Sequence, residues 1–162
     1  MPSLTVEVDP TLLQPTPWSG QGTWTITTDA GDTISGHLPA WAEEDPSENG
    51  VPVDQLALRL AGVSHRTFFE GQMMPLVTPD LSAEVEEDAV FEGSIDCNPY
   101  APDITLRQPH VTLQVTAGHW IRGLDPEDLT RIAAQLRAQA DLLDHDIRSA
   151  LIAARDDWAT RA

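Results

Sequence analysis

Residues 124–162 read LDPEDLTRIAAQLRAQADLLDHDIRSALIAARDDWATRA, and this stretch decides the fold class. Asp125 suits a helix N-cap, where its carboxylate accepts an orphan backbone N–H. Pro126 suits the first helical position, because its φ is preset and its missing N–H is not needed there. Asp128 stands where the reciprocal partner of a capping box stands. Three early carboxylates, Asp125, Glu127 and Asp128, favour the positive end of the helix dipole. Beyond Pro126 there is no Pro or Gly, and Ala, Leu, Arg and Gln dominate.

Apolar residues recur at Leu129, Ile132, Leu136, Ala140, Leu143, Ile147, Leu151, Ala154 and Trp158. The spacing runs 3-4-4, a period of about 3.67 residues per turn rather than a heptad. Such a stripe predicts a nearly straight amphipathic helix packed on a sheet, or on another straight helix. Opposite charges four apart are Glu127–Arg131, Arg137–Asp141, Asp144–Arg148 and Asp157–Arg161, each pair contributing a few tenths of a kcal/mol. An unbroken helix of roughly 35 residues is about 52 Å long. A compact chain of this length is only about 40 Å across. The helix is therefore expected to overhang, to break near Asp144-His145-Asp146, or to pack against a second copy as a homodimer.

Upstream, the chain reads as short strands, turns and acidic loops. Leu4–Val8 alternates as a strand, and residues 10–21, with Trp18, read as an irregular connection. Residues 22–38 form the clearest hairpin: Trp24 and Ile26 alternate with threonines, Asp29-Ala30-Gly31-Asp32 turns, and Ile34 and Leu38 return. Residues 39–52 read as a loop carrying Trp41 and acids. Residues 55–63 alternate Leu56, Leu58 and Leu60 and are assigned to a strand. Residues 65–77 form one or two strands split at Glu70-Gly71, with Phe68, Phe69, Met73 and Met74 as core candidates. Residues 79–92 are acidic, with room for a short strand or helical turn. Short strands at 94–97 and 103–107 flank a proline-rich turn. His110–Thr116 places Val111, Leu113 and Val115 on one face, and 119–122 is its partner. The expected fold is therefore α+β: a mainly antiparallel sheet of short strands with one long C-terminal helix packed on it. A single domain is expected over 1–162, divided into a β-rich acidic part, 1–123, and the helix, 124–162.

Composition limits function. The net charge is −17, from 26 acids and nine basic residues, and all nine are Arg. Residues 1–123 hold eighteen acids and four Arg; the rest holds eight acids and five Arg. Direct binding to nucleic acid or an anionic membrane is disfavoured, because affinity there comes from neutralising phosphate. No apolar run approaches a membrane span, and Met1-Pro2-Ser3-Leu4 lacks the basic and apolar segments of a signal peptide. One cysteine, Cys97, fits a cytoplasmic protein without disulfides.

Chemistry-bearing motifs are absent. His37, His65, His110, His119 and His145 form no short ligand pair with each other or with Cys97. His37, His110 and His119 lie on predicted strands from which they could converge. Asp96 beside Cys97 opposes a reactive thiolate. Ser64 and His65 are neighbours on a strand and point to opposite faces. No phosphate loop or dinucleotide fingerprint occurs. No metal and no cofactor is expected.

Four stretches resemble a family of small uncharacterised proteins from streptomycetes and related actinobacteria. They are Thr23–Thr28, Pro39–Pro46, Leu58–His65, and Leu124-Asp125-Pro126 through Leu143. The Arg-only, Ala- and Asp-rich composition is similar to that of high-GC genomes. Related sequences carry Cys and His after the Pro-x-Trp, where this chain has Ala42 and acids. The resemblance implies no chemistry.

The expected function is that of a non-catalytic cytoplasmic regulator or accessory factor acting on a protein partner of basic character. Its expected contact residues are Trp41, Glu43, Glu44, Asp45 and Glu48 in one acidic loop, with Glu84, Glu86, Glu87 and Asp88 in the second acidic segment. One alternative is an acidic mimic of nucleic acid that inhibits a DNA-binding protein. The other is an enzyme, which requires a pocket holding His37, His110 or His119 beside perturbed carboxylates.

Overall fold

A computed structural model describes residues 22–77 and 84–161. The expected strand at 4–8, the connection at 10–21 and Trp18 lie outside the described residues. The chain divides into two compact units, Met1–Gly123 and Leu124–Ala162. The class is α+β, with antiparallel sheets of short strands and a long C-terminal helix.

β1 (Thr23–Thr28) and β2 (Thr33–His37) form the expected hairpin, with Ile26 opposite Ile34. Gly31 takes φ +91° in the turn, a conformation that side chains resist. Trp24 faces Gly36 directly across the ladder. A Cβ at Gly36 would come 2.5 Å from the Trp24 ring, so glycine is what lets the indole lie flat on the strand. Trp24, Ile26, Val51 and Val63 form the fully buried centre of this unit.

Two expectations for the following segment are corrected. Glu48–Val51 is not loop but β3, and it pairs parallel to β1. Its polar sequence hides the strand, and only Val51 enters the core. Residues 55–63 are not a strand. A 3-10 turn at Val53–Gln55 leads into helix α1, Leu56–Ala61. Leu56 and Leu60, four apart, pack on the core, and Leu58 is exposed. Leu, Ala and Arg without β-branching follow their helix propensity here.

β4 (His65–Phe69) and β5 (Gln72–Val77) separate at Glu70-Gly71 as expected. β6 (Val85–Val90) and β7 (Glu92–Cys97) return antiparallel to them. Pairing keeps one register throughout, Phe69 with Gly93 and then Gln72 with Val90. The two halves are nevertheless separate sheets, parted at Gly71 and at Phe91, whose φ is +58°. Phe68, Met73 and Met74 are exposed rather than core: Phe68 lies on edge strand β4, and Met73 and Met74 lie on the two-stranded β5–β6 ribbon. Residues 103–107 are not a strand either: Asp103 caps a 3-10 turn at Ile104–Arg107 by accepting from Thr105 N at 2.9 Å. β8 (His110–Thr116) and β9 (His119–Leu124) complete a four-stranded sheet in the order β4-β7-β8-β9.

The second unit is one helical rod. α2 (Pro126–Asp141) opens with the expected capping box: Asp125 accepts from Asp128 N at 2.8 Å, and Asp128 from Asp125 N at 3.2 Å. Leu142–Ile147 is a π-helical segment, and α3 (Arg148–Arg161) continues the rod. The irregularity thus falls where a break was one expectation, but the helix widens instead of ending. A π turn takes in about one extra residue, which rotates everything after it by roughly 100°. The 3-4-4 stripe therefore does not stay on one face. Of the four expected charge pairs, Asp157–Arg161 forms, at 3.2 Å, while Arg131 takes Asp128 rather than Glu127. No helix among the described residues is long and apolar enough to cross a membrane.

Candidate functional site

The four-stranded sheet has two unlike faces. Val111 and Leu113 on β8 and Cys97 on β7 are buried on one. Directly paired residues share a face, so the register assembles the other face row by row. One row is Arg66–Asp96–His110, the next is Phe68–Ser94–Thr112, and Glu92 is level with Gln114. Edge strand β9 adds Trp120 and Arg122, and the face forms a groove of about 830 Å³.

The floor of this groove is buried and polar. Asp96 is 3% exposed and Ser94 6%. Asp96 accepts from Arg66 Nε, from Ser94 Oγ at 2.9 Å and from the Thr112 hydroxyl. Burial alone would push the Asp96 carboxyl up. The hydrogen bonds from Arg66, Thr112 and Ser94, with the Arg66 charge, outweigh it and hold the group below its ordinary value. His110 Nδ1 lies 2.9 Å from the Gln108 carbonyl oxygen. A carbonyl can only accept, so that bond places a proton on Nδ1 and turns Nε2 away from Gln108.

The rim is different. Arg66 remains half exposed while holding Asp96, and its guanidinium lies 5.7 Å from the Phe68 ring centroid. Phe68 is 60% exposed and Trp120 48%. Each edge strand therefore offers one arginine and one aromatic ring to the groove.

The arrangement can hold a ligand more readily than it can activate a nucleophile. Ser94 donates to a carboxylate whose affinity for protons is lowered, and His110 is engaged with a backbone carbonyl. Nucleophilic catalysis needs a hydroxyl bonded to a competent base. The enzyme alternative asked for a histidine beside a perturbed carboxylate, and His110 with Asp96 is that pair, without the remaining geometry.

The other histidines do not join it. His119 begins β9 beside the turn, whereas His110 begins β8 at the far end of the hairpin, about 20 Å away at strand rise. His37 instead meets His65 at a smaller chamber of about 330 Å³, walled by Trp24, Trp41, Tyr100 and Cys97. Burial, then His37, lowers the His65 pKa, against the opposing pull of Asp45 and of a bond to the His37 backbone. His65 Nδ1 is buried without a hydrogen-bond partner among the described residues. Burial raises the Cys97 thiol, and its Sγ donates to the Arg107 carbonyl oxygen at 3.2 Å. Among the described residues no three His, Cys, Asp or Glu side chains form a metal-binding group.

The acidic contact residues separate into two sets. Trp41 is half-buried and packs on the core around Trp24. Glu43 accepts from Thr67 Oγ1 at 2.8 Å and from Phe68 N at 3.2 Å. Asp45 accepts from Ser47 N and Oγ, and Glu48 pairs with Arg59 at 3.5 Å. Glu44 is exposed. Asp45 thus organises the loop itself, while Glu43 ties it to β4 and Glu48, on β3, reaches Arg59 of α1. Glu84, Glu86, Glu87 and Asp88 lie just before and along β6, all exposed.

The sequence does carry a signal for the groove. His110, Thr112 and Gln114 fill the positions alternate to the apolar face of β8, and Ser94 and Asp96 do the same on β7. What it does not carry is the register that makes them neighbours.

Fold and groove together define an α+β protein with a ligand-sized polar groove across an antiparallel sheet. The chain belongs to a family described as a domain of unknown function (DUF6907), whose model matches residues 23–153, a span holding every described strand and the groove. No curated protein and no solved structure matches it.

Proposed function

We propose that this protein is a non-catalytic accessory factor that acts by binding, and that the groove of the four-stranded sheet is its binding face. One observation carries the reading: a buried, mutually satisfied polar floor lies beneath a rim of half-exposed aromatic and arginine side chains. Folding alone does not require Phe68 and Trp120 to stay exposed, and the volume falls in the range of small-molecule sites. The single buried cysteine supports a cytoplasmic location, and the Arg-only composition an actinobacterial origin.

The test is an amide NMR map of labelled protein mixed with the small-molecule fraction of its own cells. Shifts are expected on the groove strands, and Trp120→Ala combined with Arg122→Gln should abolish them. Both positions are exposed on an edge strand. Shifts that persist unchanged in the double variant would sink the reading.

A second reading is supported by the β5–β6 ribbon. Glu86, Glu87 and Asp88 are exposed on β6, with Met73, Met74 and Val77 exposed on β5. Glu86 and Asp88 share a face about 6.6–6.8 Å apart at strand rise. That spacing suits a basic protein partner, including one whose groove normally holds nucleic acid. Glu86→Lys with Asp88→Lys should then reduce co-purification of a basic partner about tenfold or more. Equal recovery with wild type and variant contradicts it.

A further inference from the structure

We propose that the groove takes a small aromatic zwitterion of the α-amino-acid class. This rests on the groove being the binding face. Five ionised side chains line it: Arg66, Asp96, Glu70, Glu92 and Arg122. Arg66 and Asp96 neutralise one another. Arg122, Glu70 and Glu92 then remain, and none of them joins an ion pair among the described residues.

These three charges choose the ligand. A simple anion would meet Arg122 but also two carboxylates, inside a chain of net charge −17. A simple cation would meet the carboxylates but also Arg122. Like charges brought together in an interface repel and disfavour binding. A molecule carrying an ammonium and a carboxylate satisfies both signs.

The placement agrees. Glu92 opens β7, level with Gln114, and Glu70 follows β4. Both carboxylates therefore occupy the end of the groove where β4 and β7 part from the β5–β6 ribbon. Arg122 stands on β9, two strands from β7 in the sheet order. Two strand spacings are roughly 10 Å. A ligand ammonium on Glu92 and a ligand carboxylate on Arg122 each make a charge-assisted bond of about 2.7–2.9 Å across that gap.

The ring follows from the rim. Arg66 already covers Phe68, whereas Trp120, next but one to Arg122 along β9, is half exposed. An aromatic side chain laid on Trp120 removes apolar surface from water and gains the geometry that ring pairs prefer.

Calorimetry on the full chain near neutral pH tests this with L-phenylalanine, L-phenylalanine amide and N-acetyl-L-phenylalanine. L-phenylalanine should bind, and each blocked form should bind about tenfold more weakly or worse. Arg122→Gln should weaken L-phenylalanine and leave the cationic amide bound at least as well as before, so that the preference for the acid over the amide is lost. Glu92→Gln should likewise remove the discrimination against the acetylated form. Equal binding of all three probes overturns the assignment, as does an Arg122→Gln effect that is the same on acid and amide. If no probe binds but cell extract still shifts the groove strands, the ligand class is wrong and the groove reading stands. If neither happens, both fail.

Discussion

Trp24→Ala is expected to destabilise the β-rich unit by about 3–5 kcal/mol, the range for emptying a large aromatic site in a close-packed core. Trp24 is 1% exposed, and its ring meets Tyr100 edge-on, with centroids 6.2 Å apart and planes at 87°. It covers Gly36 on the neighbouring strand, and Ile26, Val51 and Val63 close around it. Because Gly36 supplies no side chain, collapse into the vacated space requires β1 and β2 to move together. The cost should lie in the upper part of the range. Denaturant unfolding measures it as a lower midpoint at unchanged slope. A loss below about 1 kcal/mol would show that the tryptophan is not what holds the first sheet.

Asp96→Ala carries the second large effect, about 2–3 kcal/mol. It removes the common acceptor of Arg66, Ser94 and Thr112, and buried donors left without a partner cost about 1–3 kcal/mol. Arg66 is half exposed and recovers water, so the loss stays below that of a fully buried ion pair. The carboxyl titrates below its ordinary value in the folded state, so the unfolded chain binds more protons as the solution turns acid. Its stabilising contribution is therefore complete above the unfolded value of about 3.9 and is lost as pH falls through the lower folded value. Asp96→Asn should be less stable than wild type at neutral pH and should lose less on acidification below about pH 4. Denaturation curves at neutral and acid pH measure both. Parallel loss in wild type and Asp96→Asn would mean that other carboxylates govern the acid limb.

Local chemistry made much of the fold legible. Alternation on both sides of Asp29-Ala30-Gly31-Asp32 gave the first hairpin, and Asp125-Pro126-Glu127-Asp128 gave the helix start to the residue. His110–Thr116 alternates cleanly and is a strand with those bounds. Failures came where two signals compete. Leu56, Leu58 and Leu60 alternate like a strand but belong to residues that prefer helix, and with only six residues the propensity prevailed. Glu48–Val51 is a strand because β1 offers it a partner, not because Glu-Asn-Gly-Val favours one. Phe68, Met73 and Met74 look like core because apolar residues on strands usually are, yet edge strand β4 leaves Phe68 exposed and the β5–β6 ribbon leaves Met73 and Met74 exposed. The π segment has no sequence mark beyond the three polar residues at its centre.

The groove was the least legible feature, for a physical reason. Arg66, Asp96 and His110 are separated by 30 and 14 positions and meet only because β7 pairs with both β4 and β8. Register between distant strands is set by the whole sheet, and alternation within each strand is compatible with several registers. The acidic residues were legible as residues but not as a surface. Glu43, Asp45 and Glu48 are spaced like a solvated patch, and each instead makes a bond within the fold.

The proposed binding face is the groove of the four-stranded sheet. The most direct measurement is the amide NMR map with the small-molecule fraction of the native cell. The predicted result is a set of shifts on β4, β7, β8 and β9, centred on the rows of Asp96 and Ser94 and absent in the Trp120→Ala, Arg122→Gln double variant. Shifts confined to the β5–β6 ribbon, or none on the groove strands, would contradict it.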